Sequence, residues 1–500
     1  MTRLTGARSA ALAATAIAAI ALAGCAAGSP DSDPAAKDEV VVALPGDIDN
    51  FDPHTNQLII YEYAVRDLVF STLVKYDADL ALQPDLATYE VNDDATVFTF
   101  SLDPDAVFQD GTPVDADAVI ASLERAASAD GSIWSSRLAG VTGYDAPDEH
   151  TVVVTLGAPD AAFLAGLTDI AIIAPSDVDD VASNPVGSGP YKFVSWEANS
   201  EIRLERFDDY FGDPSPTETI VEKPMADQQV ALNALYSGDV DIIASVSAAT
   251  VAQVDTTRAT VVEPSASNSL SLIEFNSSGK LADPRVRQAL AYALDKDSIR
   301  EIAYGGEGSS IWSPLPESSW AYVEQEGYPY DLDRAKELLA EAGASDLSFT
   351  LEIPSGFPDA EQIARVWQQS LAEIDVTLTP DVTELSVWLD AYVSRNYDAT
   401  WNTFNVGGDP NSFFDVIMKP HLGDDYPNTE VAQLMTDAVS VSDQDARAAI
   451  YAQLQQIVVD ELPVLIVQST PVAAVASPSV TGYELNPLGW SLLAQVAATE

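Results

Sequence analysis

Three histidines, one cysteine and one serine–lysine pair are the first residues whose chemistry must be weighed. His54, His150 and His421 lie far apart, and no two have the spacing of a metal-ligand pair. Ser277-Ser278-Gly279-Lys280 satisfies S-x-x-K, the spacing that sets a lysine one helical turn from a serine nucleophile. Gly279 and its polar neighbours argue for a turn there instead, and the companion S-D-N and K-T-G signals are absent. No G-x-S-x-G, H-E-x-x-H or phosphate-loop G-x-x-x-x-G-K-[ST] occurs, nor a twelve-residue calcium loop. Among 78 acidic side chains, carboxylate pairs arise too easily to mark a glycosidase. The chain is therefore read as a non-enzyme without a cofactor or a dedicated metal site, a secreted serine hydrolase being the minor alternative.

The 78 acids face only 23 basic residues, a net charge of −55. No broad basic face can be built from that supply, which excludes nucleic acid as the main partner. Apolar residues make up 47% of the 500 positions, enough for packed cores and too many for wholesale disorder. That length suggests about three structural units.

The lone cysteine has a distinctive setting. Arg3 and Arg8 precede an uncharged run from Ala10 to Ala23. As a helix this run spans only ~21 Å, short of the ~30 Å hydrocarbon layer, and it suits the core of an export signal. It ends in Leu22-Ala23-Gly24-Cys25, which resembles the bacterial lipobox. That resemblance implies cleavage after residue 24 and lipid on Cys25. Residues 26–38 are small, polar and Pro-containing, a tether rather than a core. The later apolar run at 457–467 is broken by Asp460, Glu461 and Pro463.

Elements that could position a site alternate in type along the chain. Strands are expected at 40–44, 96–102, 150–156, 201–205, 239–243 and 349–353. Phe98, Phe100 and Leu102 share one face of the second of these. Helices are expected at 61–74, 115–126, 227–236, 362–374 and 446–459. Asp283 and Pro284 form a helix start, with Val286, Ala289, Leu290, Ala293 and Leu294 inward and Arg287 and Arg300 toward solvent. Asp333 is expected to cap another helix, with Gly343 as its exit.

Six segments then appear in a telling order: Asn50-Phe51-Asp52-Pro53-His54, the block 96–119, Gly187–Phe193 ("GSGPYKF"), Leu235–Ile242 ("LYSGDVDI"), Phe275–Lys296 and Tyr330–Gly343. Together they resemble the family-5 extracellular solute-binding proteins of ABC importers, the oligopeptide-, dipeptide- and nickel-binding group. The match runs from residue 39 to about 490. The resemblance implies an α/β, two-lobed periplasmic-binding-protein-like fold with an extra subdomain inserted in the first lobe. Carried onto this chain, residues 1–24 are the signal and 25–38 the lipid-anchored tether. Lobe I covers 39–265, with the extra subdomain at about 75–185. Lobe II covers 266–470, and 471–500 return to lobe I. The implied function is capture of a solute between the lobes by a monomer on the extracytoplasmic face, and delivery to a membrane permease whose ATPase subunits are separate chains.

The resemblance also directs attention to residues 396–416, "NYDATWNTFNVGGDPNSFFDV". Asp409-Pro410 matches the family's acidic–proline pair. The aspartate that anchors a peptide amino terminus in relatives falls on Val406 here, and the accompanying tryptophan falls on Thr403. Trp401 and Asp409 are the candidates to replace them. Asn402 and Asn405 offer neutral hydrogen bonds to a ligand. Trp312, in a Pro- and Ser-rich passage, and Asn268, near the passage into lobe II, complete the candidate set. The ligand is read as peptide-like, the alternative being an oligosaccharide or other neutral organic solute stacked on Trp401.

Overall fold

A computed structural model describes residues 36–56, 65–176, 178, 180–423 and 426–499. The signal, Cys25 and nearly all of the tether lie outside the described residues. Two large sheets form the centres of two lobes. The first has seven strands, in the order Thr260–Val262, Ala473–Ala476, Ile242–Val246, Glu39–Leu44, Thr219–Pro224, Glu201–Arg206, Tyr191–Glu197. The second has five, in the order Thr377–Thr383, Ser348–Pro354, Ala399–Asn405, Ser269–Phe275, Val464–Ser469. A smaller four-stranded antiparallel sheet is built from Ala87–Val91, Val97–Leu102, Thr151–Leu156 and Val141–Asp148. The architecture is the two-lobed, periplasmic-binding-protein type.

Each sheet follows from its strand patterns. Val40, Val42 and Leu44 pack on one side of the seven-stranded sheet and Ala43 on the other, so its inner strands read as continuous apolar runs. In the small sheet Phe98, Phe100 and Leu102 are buried, with Val152 and Val154 beside them. Each buried phenylalanine contributes about 1.5–3 kcal/mol. The five-stranded sheet is covered on both faces, by the core around Trp367 and by the core around Tyr451.

The joint between the large sheets is two strands wide. Thr260–Val262 and Ala473–Ala476 are antiparallel neighbours in one sheet. The strands adjoining them in the chain, Ser269–Phe275 and Val464–Ser469, are antiparallel neighbours in the other. The two connections run side by side, and Thr470 N donates to Ser269 O at 2.8 Å. The C-terminal segment packs Tyr483, Leu485, Leu493 and Val496 into the core of the seven-stranded sheet.

The "GSGP" segment owes its glycines to a close approach. A Cβ on Gly187 would lie 2.0 Å from Val69 O, and one on Gly189 would lie 2.5 Å from Leu68 O. Only glycine, with no Cβ, fits where two backbones meet at that distance.

Three local expectations need correction. Of the helix expected at 61–74, residues 61–64 lie outside the described residues. The described part is helical only over Arg66–Val69, and Val74–Tyr76 is a strand. Asp331, not Asp333, caps the helix Leu332–Glu341, accepting from Arg334 N; Asp333 sits in its first turn. Arg287 does not face solvent. It is buried and donates to the carbonyls of Glu461, Leu281 and Ala282, orphan acceptors at ends of helical segments. Asp283 and Pro284 do start the helix Pro284–Tyr292 as the pattern dictates.

Candidate functional site: a cleft between the lobes

A cavity of about 920 Å³ lies between the four-stranded unit and the lobe built on the five-stranded sheet. One wall carries Trp134, Arg137, Asp160 and Asp169, with Tyr76 beside them. The other carries Phe404, Asn405, Gly407, Asp409, Asp415 and Lys419, and Trp490 of the C-terminal segment closes one end.

The first wall is propped from behind by the Asn50–His54 segment. Asp52 accepts two bonds from Arg125, at 2.9 and 2.6 Å, and one from His54 N. Arg125 also donates to His54 Nδ1, and His54 Nε2 donates to Ala171 O. Burial holds the imidazole down at about 4, so His54 is a neutral structural group. Pro53 O accepts from Trp134 Nε1 at 2.9 Å, which fixes that ring at the cavity. Asp160 lies in the turn before the short helix Phe163–Leu167: its Oδ1 accepts from Ala162 N, while its own N–H donates to Ala95 O. Asp169 lies 3.3 Å from both Arg66 and Arg137. Arg66 stacks over Trp490, whose indole Nε1 is buried with no hydrogen-bond partner among the described residues.

The second wall begins where the strand Ala399–Asn405 leaves its sheet. Asp409 then turns the chain, its Oδ1 accepting from Asn411 N. Both its oxygens accept from Arg447 at 2.8 Å, and Arg447 also donates to Ala438 O and Tyr451 Oη. This buried bidentate pair ties the wall to the helix Gln444–Glu461. A Cβ on Gly408 would lie 2.4 Å from the Tyr76 ring, so glycine here admits a ring from the facing wall.

The walls also touch by hydrogen bonds. Ala161 N donates to Val439 O at 2.7 Å, and Ser442 Oγ donates to Asp93 O at 3.4 Å. Asn405 Nδ2 donates to Leu488 O at 3.5 Å.

Two sequence-chosen residues, Asn405 and Asp409, stand on the cavity wall. The others are engaged elsewhere. Trp401 is buried inside its lobe, donating to Ser271 Oγ at 2.9 Å and packing on Phe357. Asn402 donates to Glu274 Oε1 at 3.0 Å. Trp312 lies against Tyr328 and under the Lys296 ammonium, 3.4 Å from its ring centre. Asn268 is buried at the lobe joint, donating from its side chain to Val406 O and from its backbone to Pro487 O. Val406 itself is wholly buried with Leu270 and Phe413, so position 406 belongs to packing.

The sequence reading missed Tyr76, Arg137, Asp160, Asp169 and Trp490. Asp160 sits in "GAPDAAF", which reads only as a turn, and no periodicity points to it. At the S-x-x-K segment, Ser277 Oγ donates to Phe275 O at 3.5 Å, while Lys280 pairs with Asp398 at 2.7 Å. Gly279, at φ +62°, opens a single 3₁₀ turn, so serine and lysine do not form a nucleophile–base pair. Among the described residues no cluster of three or more His, Cys, Asp or Glu can hold a metal ion, and no helix is long and apolar enough to cross a membrane.

Residues 81–421 match the family described as bacterial extracellular solute-binding proteins, family 5 Middle. The chain is 28% identical over 473 residues to Heme-binding protein A of Haemophilus influenzae, covering 84% of this chain and 85% of the relative. It is 26% identical over 486 residues to the glutathione-binding protein GsiB of Pectobacterium atrosepticum, covering 91% and 92%. The solved structure of HbpA2 from Haemophilus parasuis superposes with a TM-score of 0.83, at 21% identity, covering 92% of this chain and all of that one. The first two of these relatives are named as binding proteins. With two thirds of its length inside the family match and the two-lobed fold around a cleft, the chain belongs to the family-5 extracellular solute-binding proteins.

Proposed function

We propose that this protein captures a short peptide-like solute between its lobes and passes it to an ABC permease, while lipid on Cys25 holds it at the extracytoplasmic face of the membrane. The observation that carries the reading is the 920 Å³ cavity walled by both lobes, a size that suits a ligand of a few residues. Its walls mix aromatic faces with charged and amide groups, which fits a ligand with an apolar body and polar ends. A ligand touching both walls adds its contacts only when they meet, so binding favours the closed arrangement. Closure excludes water and strengthens each polar contact. No bond in the solute is made or broken. The oligosaccharide reading has lost its main support, because the Trp401 ring is taken up by packing.

Native mass spectrometry of the mature chain, purified gently from its export environment, tests the ligand class. An added mass that fragments into amino acids supports peptide capture; a hexose-based mass overturns it. Cell fractionation tests the anchor: Cys25→Ser is expected to release the protein from membranes, and retention would sink the lipid reading.

A further inference from the structure

Four carboxylates line the cavity: Asp160, Asp169, Asp409 and Asp415. Three are compensated by neighbouring bases. Asp409 holds Arg447 through two bonds. Asp169 lies within 3.3 Å of Arg66 and Arg137. Asp415 lies 2.6 Å from Lys419. The two basic residues on the cavity wall, Arg137 and Lys419, are thus already used in these pairs. Asp160 has no basic partner within 4 Å among the described residues, and its only side-chain hydrogen bond is from Ala162 N to Oδ1.

A half-buried carboxylate without a counter-charge is tolerable while water reaches it. A ligand that fills the cavity removes that water, and the cost is then large unless the ligand supplies a positive group. We propose, on the footing of the peptide reading above, that Asp160 receives the free amino group of the ligand. The ammonium anchor then stands on the first-lobe wall, across the cavity from the Asp409 loop. The next residue, Ala161, makes the inter-lobe bond to Val439 O, so a ligand held at Asp160 sits beside a point of closure.

Electrostatics agree with this placement. Burial pushes the Asp160 carboxyl up to about 6, with Asp409 and Asp415 adding to the rise and Arg447 opposing it. These three groups face Asp160 from the second lobe. A bound ammonium stabilises the ionised form and draws the proton off.

The test uses the full mature chain and two probes: a mixed library of tri- and tetrapeptides with free amino termini, and the same library N-acetylated. Affinities are read by titration calorimetry and native mass spectrometry. Acetylation is expected to weaken binding to the wild type at least tenfold. Asp160→Asn keeps the Oδ1 acceptor for Ala162 N; it is expected to bind the free library at least tenfold more weakly and to be indifferent to acetylation. Wild-type affinity for free peptides is expected to fall about tenfold from pH 7 to pH 5, and that of the variant to stay level. Equal affinity of the wild type for the free and acetylated libraries would overturn the assignment, and that comparison needs no variant. Tight binding of free peptides by Asp160→Asn would also overturn it and leave peptide capture standing. Failure of the wild type to bind either library would overturn the peptide reading, and this assignment with it.

Discussion

Glu222 and Glu274 each sit on an inner strand of a large sheet, one in each lobe, and each is almost wholly shielded from water. In the seven-stranded sheet Glu222 stands in register with Val42 and Ile202. Neither of its oxygens has a hydrogen-bond partner among the described residues, and burial pushes its carboxyl well above the usual range. In the five-stranded sheet Glu274 accepts from His421 Nε2 and Asn402 Nδ2 at 3.0 Å and from Tyr392 Oη at 3.4 Å. Arg395 donates to His421 Nδ1, which leaves Nε2 as the nitrogen that carries the proton toward Glu274. The same residue type, at the same depth, is thus left without donors among the described residues in one lobe and supplied with three in the other. Burial alone does not set the cost of a buried acid; the donors that reach it do.

Removing the satisfied acid should have the larger consequence. Glu274→Ala removes the acceptor shared by His421, Asn402 and Tyr392 and is expected to destabilise its lobe by about 3–5 kcal/mol, read from urea unfolding. A change under about 1 kcal/mol would mean that the network contributes nothing to stability. Glu222→Met is expected to act in the opposite direction, raising stability at pH 7 by about 1–3 kcal/mol as an unsatisfied polar group leaves the core. Destabilisation by that variant would show that unseen partners satisfy the acid.

The pH profile sharpens the contrast further. Because the folded pKa of Glu222 is raised, its contribution is fully present below the unfolded carboxylate value of about 4.3 and is lost as pH rises through the folded value. Glu222→Gln should therefore flatten the decline in melting temperature toward alkaline pH. An unchanged slope would remove Glu222 as its source. The smallest effect is expected at Tyr392→Phe, which deletes one long bond to Glu274 and should cost about 0.5–1.5 kcal/mol.

The cavity repeats this logic at its surface. Asp409 invites a ligand role from its place beside Pro410, yet both its oxygens are taken by Arg447, 38 positions away. Asp160 carried no signal, yet it is the wall carboxylate left without a base. Trp401 shows the complementary case. As a tryptophan in a polar stretch it invites a stacking role, but the strand places its ring inside the lobe, where Ser271 takes its N–H. Arg287 reads as a solvent-facing residue until the carbonyls of Glu461, Leu281 and Ala282 close around it. Each misreading has one cause: the deciding partner lies on another element, and periodicity along one element contains no information about it.

What was legible is what short-range physics controls. Alternation at Phe98, Phe100 and Leu102 specifies a half-buried strand. Asp283-Pro284 specifies a helix start, because a side-chain acceptor and a missing N–H both suit the first turn. Gly238, in the left-handed region at φ +83°, ends the helix Gln228–Ser237. The ordered segments from Asn50 to Gly343 identify the family and, through it, the two-lobed fold. Which carboxylates carry a free charge, which aromatic rings reach the cleft and which polar groups join the lobes were settled only when strands distant in the chain came together. Charge compensation and burial depend on distances of a few ångströms between residues that the sequence separates by tens or hundreds of positions.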